Sequence, residues 1–429
     1  MVVFARTAAT LRALLETPAG VSVADFDTRL RESAARDARD TAENFCSAVT
    51  GRDAPAGPAR ARKYSVMSAL GPIDIRYRYA SGSGGFKAYR RAFDAGGHGD
   101  VKATRHARAA MARCGAQLGS FAEASSFLAD IAGMPVSAGT ARKATLSAGV
   151  ETERAWEGGG IGSCRAATPP RRLPPDAVRV GPTVAVSIDG TGVNCLKADT
   201  RGIAGRNGGR AHTREVKVMW AAWYEYVDGN GRPLTDPSRT FMRVAAGTAA
   251  ESEAKLWATA KMAGYGGGTR TQFITDGAAW AENMHGSAFF DSERTVDFFH
   301  ACGYLATLVE AVAPEGRSRQ MFAMYRKMLL GKSGGYVCDT FRRRHRDKIA
   351  LLPEDAAKAL KYLESRRDAM DYGRLAKMGF YIASGCIESA CKYLVCARCK
   401  QAGMHWRLKN AVAVAMLRAT IRSHLKIIA

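Results

Sequence analysis

Three acidic residues in this 429-residue chain stand where carboxylates can do chemistry. Asp189 follows the short β-branched run Val184-Ala185-Val186-Ser187-Ile188 and is itself followed by Gly190, and Asp276 follows Thr271-Gln272-Phe273-Ile274-Thr275 and precedes Gly277. A strand end fixes a carboxylate rigidly, and the glycine after it leaves room for a ligand. Taken alone, each Asp-Gly is more often a turn than a catalytic placement. The third residue, Glu388, is the only acid between Asp371 and Ala429, in a segment rich in Lys and Arg. A lone acid in such a helix is poorly explained as general solvation. Oxygen donors of this kind suit hard divalent cations, whereas histidine and cysteine suit softer ones.

Other residues near these three are weaker candidates. Lys392 lies one helical turn after Glu388 and is placed to meet a phosphate, or else to be a solvated lysine. His300 is placed to orient a phosphate or a metal-bound water, or to be a structural histidine. His405 and Trp406 lie in a basic stretch with Arg398 and Lys400, where an aromatic ring can stack on an unpaired base, although core packing is the commoner use of tryptophan. Arg342, Arg343, Arg344 and Arg346 form the densest basic run and suit phosphate tracking. Ten cysteines without a secretion signal read as reduced thiols. Four of them, Cys386, Cys391, Cys396 and Cys399, cluster in a run read as one continuous helix, with a single CxxC pair, so no zinc site is expected.

The elements that would carry these residues follow from patterning. Residues 214–227 read as a long strand, Asp228-Gly229-Asn230-Gly231 as a turn, Arg239 to Val244 as the returning strand and 249–263 as a helix. The strand ending at Asp276 comes next, and then Val296-Asp297-Phe298-Phe299-His300 reads as a further strand leading into a helix from about residue 301. Strand, long hairpin, helix, strand, helix, strand, helix is the order of an RNase H-like α/β fold, in which two strand aspartates and a helix carboxylate converge on two divalent ions. Residues 315–375 read as a helical insertion.

Upstream, 157–182 is a Gly/Pro-rich linker that excludes helix and central strand. Before it, 1–64 reads as a helical segment, with a charged helix over 24–48, and 65–156 as a mainly helical DNA-binding region whose strand spans Ile73 to Tyr79. Within 121–145, Phe121, Ala124, Phe127, Leu128 and Ile131 repeat at helical spacing, Gly133 ends the run, and Ser137 is placed to cap a second helix. That outline is a helix-turn-helix, whose second helix would present Thr140, Arg142 and Lys143 to DNA. An ordinary helical hairpin has the same outline.

Charge narrows the partner. The chain carries 63 Lys and Arg against 40 Asp and Glu, a formal net of +23. The segment 154–315 is nearly neutral, while residues from 316 onward hold 24 basic and 8 acidic side chains, a net of +16. A polyanionic partner follows from that excess. No stretch approaches the roughly 20 apolar residues of a membrane span, and Arg6 and Arg12 interrupt any signal core, so the chain reads as cytoplasmic. A glycosidase built on two carboxylates fits this charge poorly.

Six ordered motifs carry a resemblance: Ser187-Ile188-Asp189-Gly190-Thr191, Arg214-Glu215-Val216-Lys217, Thr275-Asp276-Gly277-Ala278-Ala279-Trp280, Asp297-Phe298-Phe299-His300-Ala301, Ser384-Gly385-Cys386-Ile387-Glu388-Ser389 and Lys400-Gln401-Ala402-Gly403-Met404-His405-Trp406. Together, from about residue 65 to 423, they resemble a DDE-type bacterial insertion-sequence transposase of the Kra group. The resemblance implies that Asp189, Asp276 and Glu388 are the catalytic, metal-binding triad for two Mg²⁺ ions, with Mn²⁺ able to substitute. Asp189 would bridge both ions, Asp276 would hold the first and Glu388 the second. It implies double-stranded DNA partners, namely terminal inverted repeats and target DNA, a homodimer or larger assembly on DNA, and a bacterial, nucleoid-associated location. The alternative is a catalytically inactive, repurposed DNA-binding regulator. The chain departs from the family in having Ala80-Ser81-Gly82-Ser83-Gly84-Gly85 where a cysteine pair is usual, which removes a metal knuckle there. Ala383 stands where glycine is usual, and relatives tend to continue beyond Ser423.

Overall fold

The computed structural model describes residues 5–16, 22–52, 60–79, 101–164, 172–205 and 208–427. The departure noted at residues 80–85 lies outside them. The chain forms two compact units, one ending at Glu157 and one running from Gly158 to Lys426. The units divide at the start of the expected 157–182 linker, but Gly160–Cys164 form a 3-10 helix inside that stretch, and the expected division at 64/65 falls inside a strand.

In the first unit, α1 (Ala5–Glu16) and α2 (Val23–Arg52) precede a hairpin of β1 (Arg60–Ser68) and β2 (Gly71–Tyr79). Alternation along the hairpin turns Val66, Ile73 and Ile75 inward against Ala42 and Cys46 of α2. Three helices follow, α3 (Arg105–Gln117), α4 (Phe121–Ala132) and α5 (Ala138–Glu157). Ser120 caps α4 by accepting from the Glu123 amide at 2.9 Å, and Gly133 stops it with φ +61, a conformation that costs glycine nothing. Ser137 then caps α5, accepting from the Thr140 amide at 3.1 Å. Met111, Leu128, Met134, Val136 and Ala144 close a core among the three helices.

The second unit is a mixed α/β layer structure around a five-stranded sheet of order β5-β4-β3-β6-β7. The strands are β3 (Val178–Asn194), β4 (Thr213–Val227), β5 (Pro233–Ala245), β6 (Arg270–Thr275) and β7 (Glu293–Val296). β3, β4 and β5 pair antiparallel, and β3, β6 and β7 pair parallel. The connecting helices are α6 (Ala249–Ala263), α7 (Ala279–Ala288) and α8 (Phe298–Val312). β3 extends well beyond the apolar run that announced it and takes in residues 178–182, expected to be linker; a register shift between Arg179 and Thr183 accommodates the glycine and proline there.

The expected strand Val296 to His300 is corrected. β7 ends at Val296, and Phe298 to His300 form the first turn of α8 because the Asp297 carboxylate accepts from the His300 amide at 2.6 Å and starts a helix. The expected helical insertion is present as α9 (Ser318–Gly331), α10 (Gly334–Arg344), a single turn at Arg346–Ile349, α11 (Glu354–Ser365) and α12 (Tyr372–Lys377). It shares one core with α8, in which Leu305, Val309, Tyr325, Phe341, Leu360 and Tyr372 are buried together.

The chain then enters α13 (Gly385–Cys391), a π-helical turn over Lys392–Cys396 and a last turn at Ala397–Cys399, before α14 (Leu408–Arg422). The helix expected through Cys386–Cys399 is therefore interrupted by one wide turn directly after Glu388 and Cys391. No helix among the described residues is long and apolar enough to cross a membrane.

Candidate active site

The parallel register sets the site. The last paired residues of β3 and β6 are Ser187 and Ile274, and Asp189 and Asp276 each lie two positions further on. The last pair between β6 and β7 is Thr275 with Val296, so Asp276 and Asp297 each come one residue later. Three aspartates thus stand in line across the ends of pairing of three neighbouring parallel strands.

Asp189 and Asp276 are partly exposed, and each is anchored at one oxygen. Asp189 Oδ1 accepts from the Gly190 amide at 2.6 Å, and Asp276 Oδ1 accepts from the Ala278 amide at 2.9 Å. Cys391 Sγ on α13 donates to Asp189 Oδ2 at 3.6 Å. Burial raises the Asp189 pKa above the usual carboxylate range, and the neighbouring Asp276 charge raises it further, against the hydrogen bond from the Gly190 amide. Two carboxylates that repel one another from rigid strand ends are a donor set suited to a bound cation.

Glu388 enters from α13, which packs on β3 and β4. The start of that helix is fixed by Asp297, whose Oδ2 accepts from the Ser384 amide at 2.5 Å while its Oδ1 accepts from His300 Nδ1 at 3.1 Å. Asp297 is 0% exposed. Burial works to raise its pKa, but the bonds from His300 and from the Ser384 amide outweigh that and hold the carboxyl below its ordinary range. His300 is shifted the other way, first by its bond to Asp297 and then, against a partial burial, by the charges of Asp297, Asp276 and Glu388.

Among the described residues, ligating atoms of Asp297, His300 and Glu388 lie within 4.8 Å of one another. Both Asp297 oxygens are occupied by protein donors, and neither Asp189 nor Asp276 belongs to this cluster. Lys392 Nζ lies 3.7 Å from Glu388 Oε2, so the two share one helix face as their spacing implies, and the lysine is engaged by that carboxylate.

The basic residues divide into exposed and buried. Arg142 and Lys143 are exposed near the start of α5, with Thr140 half-buried. Arg342, Arg343, Arg344 and Arg346 are exposed, although Arg342 is paired with Glu364. Lys400 is exposed and donates to Thr191 Oγ1 at 2.6 Å, beside the Asp189 strand. Two expected DNA contacts are corrected by burial: Arg398 is 1% exposed, and Trp406 8%. The guanidinium of Arg398 lies 5.3 Å from the Trp406 ring centre, and the Trp406 backbone bridges to β3, donating to Asn194 O at 2.9 Å and accepting from the Leu196 amide at 2.8 Å. Both side chains are buried, and the backbone at Trp406 ties this segment to the end of β3. Burial also pushes up three of the four clustered thiols, Cys386 to about 12, Cys399 to about 11 and Cys391 in the same direction.

Asp297 is the residue that sequence reasoning passed over as a site residue. Its signal was the Asp-x-x-His spacing after a β-branched run, which is the spacing of a helix cap. The chain matches no protein-family model and no curated protein sequence.

Proposed function

We propose that the chain is a DDE transposase that cuts element ends and joins the freed 3′-hydroxyl to target DNA. The observation that carries this reading is the placement of Asp189 and Asp276 two residues beyond the last pair of the neighbouring parallel strands β3 and β6, with the Glu388 helix packed on β3 and β4. The element order β3, the β4–β5 hairpin, α6, β6, α7, β7 and α8 agrees with the strand, long hairpin, helix, strand, helix, strand, helix sequence on which the RNase H-like reading rests.

The fit to a divalent cation rests on the donor set: three partly exposed carboxylates, two of them mutually repelling and already oriented by backbone amides. Mg²⁺, or Mn²⁺ in its place, would be held as two ions by Asp189, Asp276 and Glu388 and would supply charge neutralisation at a phosphodiester and a more acidic attacking hydroxyl. The side chains do the rest. Asp189 lies on β3 and Asp276 in the turn directly after β6, and Asp297 fixes both the start of the Glu388 helix and the His300 ring. His300, its pKa raised first by its bond to Asp297, is held by that bond beside Glu388 and is placed to orient a scissile phosphate. Lys392 adds positive charge beside Glu388, and Lys400 beside the Asp189 strand.

Double-stranded DNA is the partner, taken at element ends and target, with Arg343, Arg344 and Arg346 tracking phosphates. The α4–α5 pair serves as a helix-turn-helix presenting Thr140, Arg142 and Lys143. Two ends must be paired, so the working form on DNA is a dimer or larger.

The test is incubation with the element's own ends in Mg²⁺, Mn²⁺ or EDTA. Metal-dependent nicking is expected, and Asp189→Asn, Asp276→Asn and Glu388→Gln each abolish it while leaving DNA affinity within a few-fold. Cleavage retained by any one purified variant sinks the triad.

A further inference from the structure

The turn that carries Asp276 is gripped from outside the sheet. Tyr362 Oη, on α11 of the insertion, donates to the Asp276 carbonyl at 2.5 Å, and Arg366, just beyond that helix, donates to the Gly277 carbonyl through Nε at 3.0 Å and Nη2 at 2.6 Å. The two gripping side chains brace one another, with the Arg366 guanidinium 4.2 Å from the Tyr362 ring centre. On its other side Tyr362 stacks on Tyr304 of α8, the ring centres 3.7 Å apart and the planes inclined by 21°. Gly277 has φ +83, and a Cβ there would strike the Tyr362 hydroxyl and the Arg366 Nε. Burial raises the Tyr362 pKa, so the hydroxyl remains a donor at every working pH.

The geometry points to Tyr362 and Arg366 as positioning residues that set the second carboxylate of the site, so that the helical insertion controls metal binding at Asp276 as well as offering basic surface. Three facts converge on this. The donors reach the backbone of Asp276 and Gly277 themselves. The turn's own bonds, Gly277 N to Thr275 Oγ1 and Ala278 N to Asp276 Oδ1, both 2.9 Å, hold only if the peptide planes stay as they are. The insertion has its own shared core with α8, so Tyr362 is delivered by a packed element and not by a loop. The consequence for metal binding rests on the proposed triad; the grip on the turn does not.

The experiment compares the full-length chain with Tyr362→Phe, Arg366→Lys and, as a control on the same insertion, Arg343→Ala. Amide exchange over residues 274–280 reads the turn directly, and Mn²⁺ titration followed by water-proton relaxation reads the site without DNA. Exchange at 277 and 278 should rise in Tyr362→Phe and Arg366→Lys alone, with the rest of the sheet protected as in wild type. Mn²⁺ affinity in those two variants should fall roughly tenfold, the usual effect of removing a residue that orients a ligand. Unchanged exchange in both variants overturns the positioning role. Faster exchange in a chain whose wild type retains no Mn²⁺ overturns the metal reading instead and leaves the grip in place.

Discussion

Asp297 shows how much one buried side chain can organise. Its two oxygens join the end of β7, the first turn of α8, the His300 ring and the amide that opens the Glu388 helix. Because its folded pKa lies below the ordinary value, the stability it contributes is fully present above about pH 4 and is lost as pH falls from there through the lower folded value. Asp297→Asn keeps the shape but loses the charge-assisted bonds and should cost about 2 kcal/mol at neutral pH. Urea titrations at pH 7 and pH 3 check this: the gap between wild type and variant should close at the lower pH, and a gap independent of pH would remove the charge from the account. Lys392 makes a contrast. Its pair with Glu388 is solvent-exposed, so Lys392→Ala should move stability by less than about 0.5 kcal/mol, and any larger loss of DNA cleavage than of stability would belong to a phosphate contact.

At the level of elements, two segments depend on long-range packing. Trp406 is seated against β3, and replacing it by alanine should destabilise the second unit by about 3 kcal/mol, visible as a lowered thermal midpoint. If Trp406→Ala melted with wild type and yet bound DNA poorly, base stacking would have to be restored as its role. Gly277→Ala forces a side chain into a left-handed turn already filled by Tyr362 and Arg366, and should cost about 2 kcal/mol or more. The same substitution at Gly286, in α7 with open space around its Cβ, serves as the control and should be neutral or stabilising.

Across the whole molecule, charge is distributed by segment. The strands with Asp189 and Asp276 belong to a nearly neutral stretch, while the net +16 from residue 316 onward belongs to the insertion and the Glu388 region. Binding to duplex DNA should therefore weaken steeply with salt, and Arg343→Ala or Arg346→Ala should each reduce the log–log slope by roughly one while leaving sequence preference alone. An affinity that barely changed between low and physiological salt would detach this basic surface from DNA.

Much of this was legible in the residues. Alternation and β-branching marked the strands at 184–188, 214–227 and 271–275, glycine and serine marked the ends of the α4–α5 pair, and Asp-Gly after an apolar run marked the two aspartates that lie just beyond the β3–β6 pairing. Those signals are local: they depend on spacing along the chain and on backbone preferences that act within a few residues. Tertiary structure decided the rest. It turned Phe298 to His300 from strand into the first turn of α8, where the Asp297 carboxylate accepts from the His300 amide. It withdrew Arg398 and Trp406 into the interior, because charge and aromaticity do not reveal which face of a helix is covered. Above all it joined residues 276, 297, 362, 366 and 384, whose contacts arise only where a parallel sheet and an inserted helical core meet, and no periodicity records that meeting.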